Sequence, residues 1–306
     1  MRRAAFRIVL SLLTVLAIGV ATFFLMHAIP GGPFSRERFL PPEIEANLAR
    51  KYNLDVPLSK QFVRYMGDLL RGDLGMSFVH EGRSTNQIIA EGFPKSAALG
   101  GAAFVLALGF GIPLGVASAL ARRTVWDGAL MLVAILGVSV PSFIMAGLLQ
   151  YGLAFRLGWL PAAGWGDSPL QVVLPAMALA AFPTAFLSRL VRASMGEVLG
   201  SDYIRTARAK GLGPAAIMLR HALRNALLPA VTYAGPLLAG LLTGSFVVEN
   251  IFAIPGLGNF FVSSITDRDY TVIMGVTLFY SALLVGLNAL VDVAYGVLDP
   301  RMAGQP

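Results

Sequence analysis

The chain contains no cysteine among its 306 residues. This absence excludes disulfides, thiolate metal sites and a cysteine nucleophile. Histidine is almost as scarce, since only His27, His80 and His221 are present and they lie far apart in the sequence. A metal site built from three such separated side chains would require an improbable convergence, so the sequence predicts no metal centre.

Charge is also scarce. Charged residues make up 13% of the chain, whereas an ordinary soluble domain has about 25%. Hydrophobic residues reach 56% and the mean hydropathy is +0.69, which identifies an integral membrane protein. The net charge of +7 is weak evidence for nucleic-acid binding, because Lys and Arg accumulate on the cytoplasmic loops of membrane proteins and at anionic headgroups. We therefore predict a lipid bilayer, and no nucleic acid, as partner.

Several catalytic motifs are missing. The sequence has no G-x-x-x-x-G-K-[ST] phosphate loop, no H-E-x-x-H zinc helix and no G-x-S-x-G nucleophile elbow. A proton-coupled transporter is expected to hold ionisable groups near the bilayer midplane, whereas Glu249 and Asp292 fall near the ends of apolar runs. We therefore predict a chain that is not an enzyme, has no catalytic residue and binds no cofactor of its own.

Six apolar runs are long enough to cross the hydrocarbon core, which requires about 20 helical residues. None of them contains Asp, Glu, Lys or Arg, and they predict an all-α integral membrane fold with six transmembrane helices. The runs are 8–29, 96–121, 128–155, 170–188, 226–248 and 270–291. The first run is too long for a signal-peptide core and lacks a cleavage site, so we interpret it as a retained helix.

Basic residues in short loops predict the orientation. With the N-terminus inside, the short outer loops contain only Arg156 and Arg268. The sequence thus predicts that both termini are cytoplasmic. The short inner segments then contain Arg2, Arg3, Arg7, Arg122, Arg123, Arg189, Arg192, Arg205, Arg208, Lys210, Arg220, Arg224 and Arg301.

The outer segment 30–95 contains two amphipathic patterns. Apolar residues follow prolines at helical spacing and predict short helices at 42–52 and 57–70. These helices either pack on the outer membrane face or help to form a dock for an extracytoplasmic partner. The predicted division is an N-terminal helix at 1–29, an extracytoplasmic helical segment at 30–95 and a core at 96–300 that includes a cytoplasmic loop at 189–225.

Glycine and proline are frequent in the predicted spans. Gly111 with Gly115, and Gly240 with Gly244, form small-xxx-small pairs that allow helix backbones to approach closely. Prolines interrupt or bend the spans. These features indicate either ordinary helix packing or a bundle with two stable arrangements, as alternating access requires. The prolines are Pro113, Pro141, Pro175, Pro183, Pro229 and Pro236.

The stretch YIRTARAKGLG at 203–213 predicts a short helix in the cytoplasmic loop. Ser201 or Asp202 can cap its N-terminus, and Gly211 suits the position after its C-terminus, where φ is positive. A helix of roughly nine residues is unstable alone in water. The spacing places four residues on one side of the helix, which indicates a small protruding surface that fits a groove on another protein. The alternative is a basic loop that is attracted to anionic lipid. That side contains Tyr203, Thr206, Ala207 and Lys210.

These residues resemble a known family. DYIRTARAKGLG, followed by LRHALRNALLPAV, is similar to the coupling-loop signature of permease subunits of binding-protein-dependent ABC importers, in the version of the dipeptide and oligopeptide systems. The general pattern is E-A-A, three residues, G and later L-P. Arg205 and Thr206 replace its acid and first alanine, which is typical of the peptide subclass, and Ala207 and Gly211 match. RGDLGMSF, VVENIFAIPGLGNFF, RDYTVIMG and LDPR extend the resemblance along the chain.

The resemblance implies a type I ABC importer permease in the bacterial cytoplasmic (inner) membrane, of the B type. Its expected partners are a homologous second permease subunit, two cytoplasmic ABC ATPase subunits that carry ATP and Mg, and an extracytoplasmic solute-binding protein. It also implies that the short helix couples to the ATPase mechanically. The coupling residues would be Tyr203, Arg205, Thr206, Ala207, Arg208, Ala209, Lys210 and Gly211.

Two alternatives remain open from the sequence. The transported solute is expected to be a di- or oligopeptide, but related importers carry nickel, glutathione or other small solutes. A stand-alone secondary transporter is the second alternative, against which the lack of midplane charges argues. The sequence does not identify the residues of the substrate pathway.

Overall fold

The computed structural model describes residues 2–28, 32–33, 42–122 and 124–298. Its regular structure is helical throughout these ranges, apart from an isolated bridge between Met76 and Ser84, which confirms the all-α prediction. Arg123, Arg301, most of the LDPR motif and the start of the predicted outer segment lie outside the described residues. The chain divides into two compact units, Met1–Lys95 with Pro255–Gly286, and Ser96–Ile254 with Leu287–Pro306.

The first unit contains the N-terminal helix and the predicted outer helices. Its helices are α1 (Arg2–Ala28), α2 (Pro42–Lys51), α3 (Leu58–Leu70), the start of α4 (Thr85–Leu120), α13 (Leu257–Asp267) and the start of α14 (Tyr270–Leu298). The helices predicted at 42–52 and 57–70 are thus confirmed, and Pro57 stands immediately before α3. Phe62, Tyr65 and Leu69 of α3 pack against a buried cluster that includes Phe23 and Tyr270.

The second unit contains the remaining helices. They are the rest of α4, α5 (Val125–Ser139), α6 (Ser142–Leu149), α7 (Val173–Leu199), α8 (Asp202–Ala209), α9 (Pro214–Ala216), α10 (Leu223–Ala226), α11 (Leu228–Leu242), α12 (Phe246–Ile251) and the end of α14. Wider π-helical turns continue α6 over Gln150–Arg156 and join α9 to α10 over Ile217–Ala222, and a 3₁₀ turn at Pro169–Val172 precedes α7.

Within the described ranges, four helices are long and apolar enough to cross a membrane, and two bent helix pairs raise the number to as many as six. The predicted span 128–155 is not one helix, because it breaks between α5 and α6 with a bend of 109°. Pro141 stands immediately before α6. The residue that precedes it, Val140, has an extended backbone, as expected for a residue before proline. The predicted span 226–248 is interrupted as well, because α11 ends at Leu242 and α12 begins at Phe246. The helical segment Pro214–Ala226, which precedes this span, is bent by 47° from α11.

The two predicted glycine pairs have different outcomes. A Cβ added to Gly111 would lie 2.9 Å from the Leu187 Cβ, and one added to Gly115 would lie 2.6 Å from the Ser188 carbonyl oxygen. This pair therefore allows α4 to approach α7 closely, as predicted. Gly240 has no such neighbour within 4 Å, whereas a Cβ added to Gly244, which follows α11 with a φ of +80°, would lie 3.1 Å from the Ser96 hydroxyl oxygen of α4. Only Gly244 of the second predicted pair therefore stands at a close contact within the described residues.

The VVENIFAI part of the motif, at 247–254 in the second unit, contains a buried carboxylate. Glu249 is fully buried in α12 and accepts a hydrogen bond of 2.8 Å from the Ser96 hydroxyl. The nearby Phe252 carbonyl accepts from the Gly164 amide at 2.9 Å. Ser245 stands at the N-cap of α12, where its hydroxyl accepts from the Val248 amide, which is a structural role for this side chain.

Candidate functional site

Helix α8 stands directly after α7 in the loop that leads to α11. Asp202 occupies its first turn and Ser201 its N-cap, but Ser201 does not cap with its side chain. The Ser201 hydroxyl instead donates to the Val198 carbonyl of α7 at 2.6 Å. The predicted helix is therefore present at Asp202–Ala209, and its start is attached to the end of the preceding helix.

One face of α8 is buried inside the second unit. Ile204 is 0% exposed and Ala207 is 6% exposed. The two residues belong to a cluster that joins α8 to the ends of α4 and α7 and to the segment between α9 and α11. The other buried members of this cluster are Ala119, Met195, Ile217, Ala222 and Ala226.

The position of Ala207 corrects the sequence prediction. We expected Ala207 at the centre of a surface that contacts another protein, but its side chain packs against the chain's own apolar residues. Ile204, three residues earlier, defines the inward face, since positions i and i+3 share one side of a helix. Ala207 therefore helps to attach α8 to the rest of the chain and is not part of the exposed face of this helix.

The opposite face of α8 is exposed and has a net positive charge. Asp202 forms an ion pair of 3.3 Å with Arg205, and both side chains are largely exposed, so the pair contributes little to stability. Arg208 and Lys210 add two more cations at the C-terminal end, where the helix dipole favours positive charge. The predicted site residues that are exposed are Tyr203, Arg205, Thr206, Arg208, Ala209, Lys210 and Gly211.

The C-terminus of α8 has the geometry of a Schellman motif. The Leu212 amide donates to the Ala207 carbonyl at 3.3 Å, and the Gly211 amide donates to the Arg208 carbonyl at 2.9 Å. Gly211 has a φ of +79°, which glycine adopts without steric cost. This confirms the prediction that Gly211 follows the helix with positive φ.

Tyr203 attaches the first turn of α8 to the segment before α11. Its hydroxyl accepts a hydrogen bond of 2.9 Å from the Asn225 amide nitrogen. The same amide nitrogen also approaches the His221 carbonyl at 3.4 Å. Asn225 was not among the predicted residues, because nothing in its sequence neighbourhood indicates a partner 22 residues away.

An ion pair holds α5 against α7 near the same cluster. Arg192 donates from Nε and Nη2 to the two carboxylate oxygens of Asp127 at 2.9 and 2.8 Å. The Ser118 hydroxyl of α4 donates to Asp127 at 2.8 Å. Because a two-point guanidinium–carboxylate contact is strong and directional, this group fixes three helices one turn before Met195. Arg192 was predicted only as one of the basic residues of the short inner segments.

No group of three or more His, Asp or Glu side chains suited to a metal ion occurs within the described ranges. The arrangement instead combines a buried anchor with an exposed surface of net positive charge, which can bind another macromolecule. Residues 111–304 match the model of the family described as binding-protein-dependent transport system inner membrane component. The chain belongs to this family.

Relatives of this permease family cover almost the whole chain. The dipeptide transport system permease protein of Bacillus subtilis is 50% identical over 94% of both chains. The oligopeptide transport system permease protein of Haemophilus influenzae is 43% identical over 97% of both chains, and that of Escherichia coli is 44% identical over 94% of this chain and 95% of the relative.

Solved structures share the fold of this permease. An inward-facing structure of the MetNI methionine ABC transporter superposes with a TM-score of 0.59 at 18% identity, and covers 69% of this chain and 96% of that chain. A crystal structure of an amino acid ABC transporter with histidines gives a TM-score of 0.51 at 17% identity, over 68% and 93% of the two chains. The type I importer permease fold predicted from the motifs is thereby confirmed.

Proposed function

We propose that this chain is one membrane subunit of an ATP-driven importer of di- or oligopeptides. The peptide assignment is supported by the names of relatives that are 43–50% identical over nearly the whole chain. In this proposal a second, homologous permease subunit completes the pathway, and an extracytoplasmic binding protein delivers the solute. Two separate ATPase subunits hold ATP and Mg, and this chain binds neither.

Helix α8 is the proposed contact with the ATPase. The observation that carries this proposal is the division of α8 into a buried face at Ile204 and Ala207 and an exposed basic face. Because the buried face packs on Met195 of α7 and Ala119 of α4, a partner that moves α8 would also move the ends of two long helices. A solvated loop without this anchor would transmit no such displacement.

The proposal also requires a defined orientation. Helix α8 and both termini lie on the cytoplasmic side, and α3 lies on the outer side. Cysteines introduced at Ser59 and Ala209 of this cysteine-free chain are expected to react with an impermeant thiol reagent from opposite sides of the membrane. Labelling of both positions from one side would contradict the orientation and the ATPase contact together.

Cross-linking of the assembled importer tests the ATPase contact directly. A cysteine at Thr206 or Ala209, both exposed on α8, is expected to form a cross-link to the ATPase subunit whose yield changes with ATP. Ser59→Cys on α3 is the matched control and should form none. Cross-links from Ser59 alone, or peptide uptake by this chain without any ATPase, would contradict the proposal.

The transported solute requires a separate measurement. Vesicles that contain the assembled importer and its binding protein are expected to accumulate a labelled tripeptide when ATP is present inside. Uptake of nickel or glutathione in place of peptide would replace the peptide assignment and leave the proposed ATPase contact intact.

A further inference from the structure

An apolar groove runs along α7 in the second unit, where α4, α5 and α6 form its other walls. Its volume is about 670 Å³. Most of its lining is aliphatic or aromatic and offers no hydrogen-bond partner. Representative lining residues are Phe110, Leu114, Met131, Ala134, Met145 and Met177.

The groove becomes polar at one end. Thr184, Ser188 and Arg192 all line it, and their spacing of four residues places them along one face of α7. Ser118 of α4 also lines the groove and shares the Asp127 carboxylate with Arg192. The groove therefore leads from a hydrocarbon surface to a guanidinium group.

Arg192 retains hydrogen-bonding capacity in this position. Its contacts within the described residues use Nε and Nη2 toward Asp127. Because a guanidinium carries five N–H groups, the remaining donors are available to an anion. Arg122 adds a second cation nearby. Its Nη1 lies 3.3 Å from the position that a Cβ on Gly196 would occupy, and Gly196 is one turn after Arg192 on α7.

The local charge is positive after the neighbouring acids are counted. The cations are Arg122, which follows α4, and Arg189 and Arg192 of α7. The acids near them in the sequence are Asp127 of α5 and Glu197 of α7. An elongated apolar surface with a cationic end matches the two parts of an anionic phospholipid. A peptide matches it poorly, because the aliphatic walls would leave peptide N–H and C=O groups without partners.

We propose that this groove binds one acyl chain of an anionic phospholipid and that Arg192 and Arg122 bind its phosphate. The chain belongs to a family of inner membrane components, so such lipid is at hand. Bound lipid would fill the space between α5 and α7 and would hold the Asp127–Arg192 contact away from bulk water. This site is separate from the exposed face of α8.

Native mass spectrometry of the full-length chain in detergent tests the proposal. After addition of phosphatidylglycerol or phosphatidylcholine, we expect one retained phosphatidylglycerol and about tenfold weaker retention of phosphatidylcholine, a difference of about 1.4 kcal/mol. Arg122→Gln should reduce this preference and leave the fold intact, because it removes a cation from an exposed position. Met177→Trp and Ala181→Leu should reduce retention of both lipids, because they fill the groove.

Two variants serve as matched controls. Val105→Leu adds volume to an exposed position of α4 that does not line the groove, and Arg224→Gln removes an exposed cation from α10; both should retain lipid like the parent. Equal retention of the two lipids, or unchanged retention in both filled variants, would overturn the proposal. Efficient cross-linking of Met177→Cys to a second permease subunit in the assembled importer would assign the groove to a protein interface and would also overturn it.

Discussion

Ser77 donates its hydroxyl proton to the buried carboxylate of Asp269, which lies 192 residues later in the chain. The same carboxylate accepts from the Phe78 amide at 3.1 Å and from the Thr271 hydroxyl at 2.9 Å. The Thr271 hydroxyl also lies 2.7 Å from the Met76 carbonyl. The RGDLGMSF and RDYTVIMG motifs are therefore two halves of one structural contact in the first unit.

Replacement of Asp269 should destabilise this unit. Hydrogen bonds to a charged group contribute roughly 1.5–3 kcal/mol each, and Asp269→Ala would leave the Ser77 hydroxyl and the Phe78 amide without their acceptor. We expect a lower apparent Tm and faster proteolysis within residues 71–84. Asp55→Asn alters an exposed acid and should leave both measurements unchanged. An unaltered Tm in Asp269→Ala would show that the contact is dispensable.

The buried face and the exposed face of α8 lead to opposite expectations for substitutions at two neighbouring residues. Ala207→Glu would place a carboxylate among Met195, Ile217 and other apolar side chains, and a buried unpaired charge costs several kcal/mol. We therefore expect this variant to expose the loop at 200–213 to protease even in the absence of an ATPase. Thr206→Glu alters the exposed face and should leave the loop resistant while it weakens ATPase copurification.

The comparison of these two variants tests which face of α8 is turned toward the interior of the chain. If Ala207→Glu and Thr206→Glu both left the loop protease-resistant and both released the ATPase, Ala207 would face the partner after all. Resistance should be measured on the purified chain and copurification on the assembled importer, so that folding and binding are separated.

The sequence was sufficient to predict the existence of α8 but not which of its faces is buried. Helical spacing placed Tyr203, Thr206 and Lys210 on one side, and these three residues are exposed. Ala207 was grouped with them because alanine is compatible with either environment. Ile204 was the informative residue, since a branched apolar side chain in a basic stretch favours burial, and Ala207 lies three positions after it.

Other features depend on contacts that local patterns do not encode. The Asp127–Arg192 pair joins residues 65 positions apart, and Ser77 and Asp269 are 192 apart. The break before Pro141 is different, because a proline in the span was visible in the sequence. Apolar composition alone did not show that α5 and α6 are separate helices.

Gly211 should be sensitive to the backbone conformation rather than to side-chain size. A Cβ at this position would have no heavy atom within 4 Å, but φ is +79°, a region that costs ordinary residues about 1–2 kcal/mol. Gly211→Val should therefore destabilise the end of α8 and reduce ATP-driven uptake. Gly211→Asn should retain more of both, because asparagine enters this region more readily than other non-glycine residues. Equal loss in the two variants would indicate a steric role instead.

The crossing of α4 and α7 provides a test with a matched control in the same helix. A Cβ on Gly115 would lie 2.6 Å from the Ser188 carbonyl oxygen and 2.7 Å from the Val191 Cβ, whereas a Cβ on Gly109 has no neighbour within 4 Å. Gly115→Ala should therefore separate the two helices, lower the apparent Tm and weaken the anchor of α8, because Met195 lies one turn beyond Val191 on α7.

Gly109→Ala introduces the same methyl group and should leave stability unchanged or raise it slightly, since alanine favours a helix over glycine by roughly 0.5–1 kcal/mol. Both variants replace a glycine of α4 by alanine, so a difference between them in apparent Tm or protease resistance reports on the crossing of α4 and α7. If both had the same Tm and the same protease resistance of the loop at 200–213, the close approach of α4 to α7 would not be what holds α8 in place.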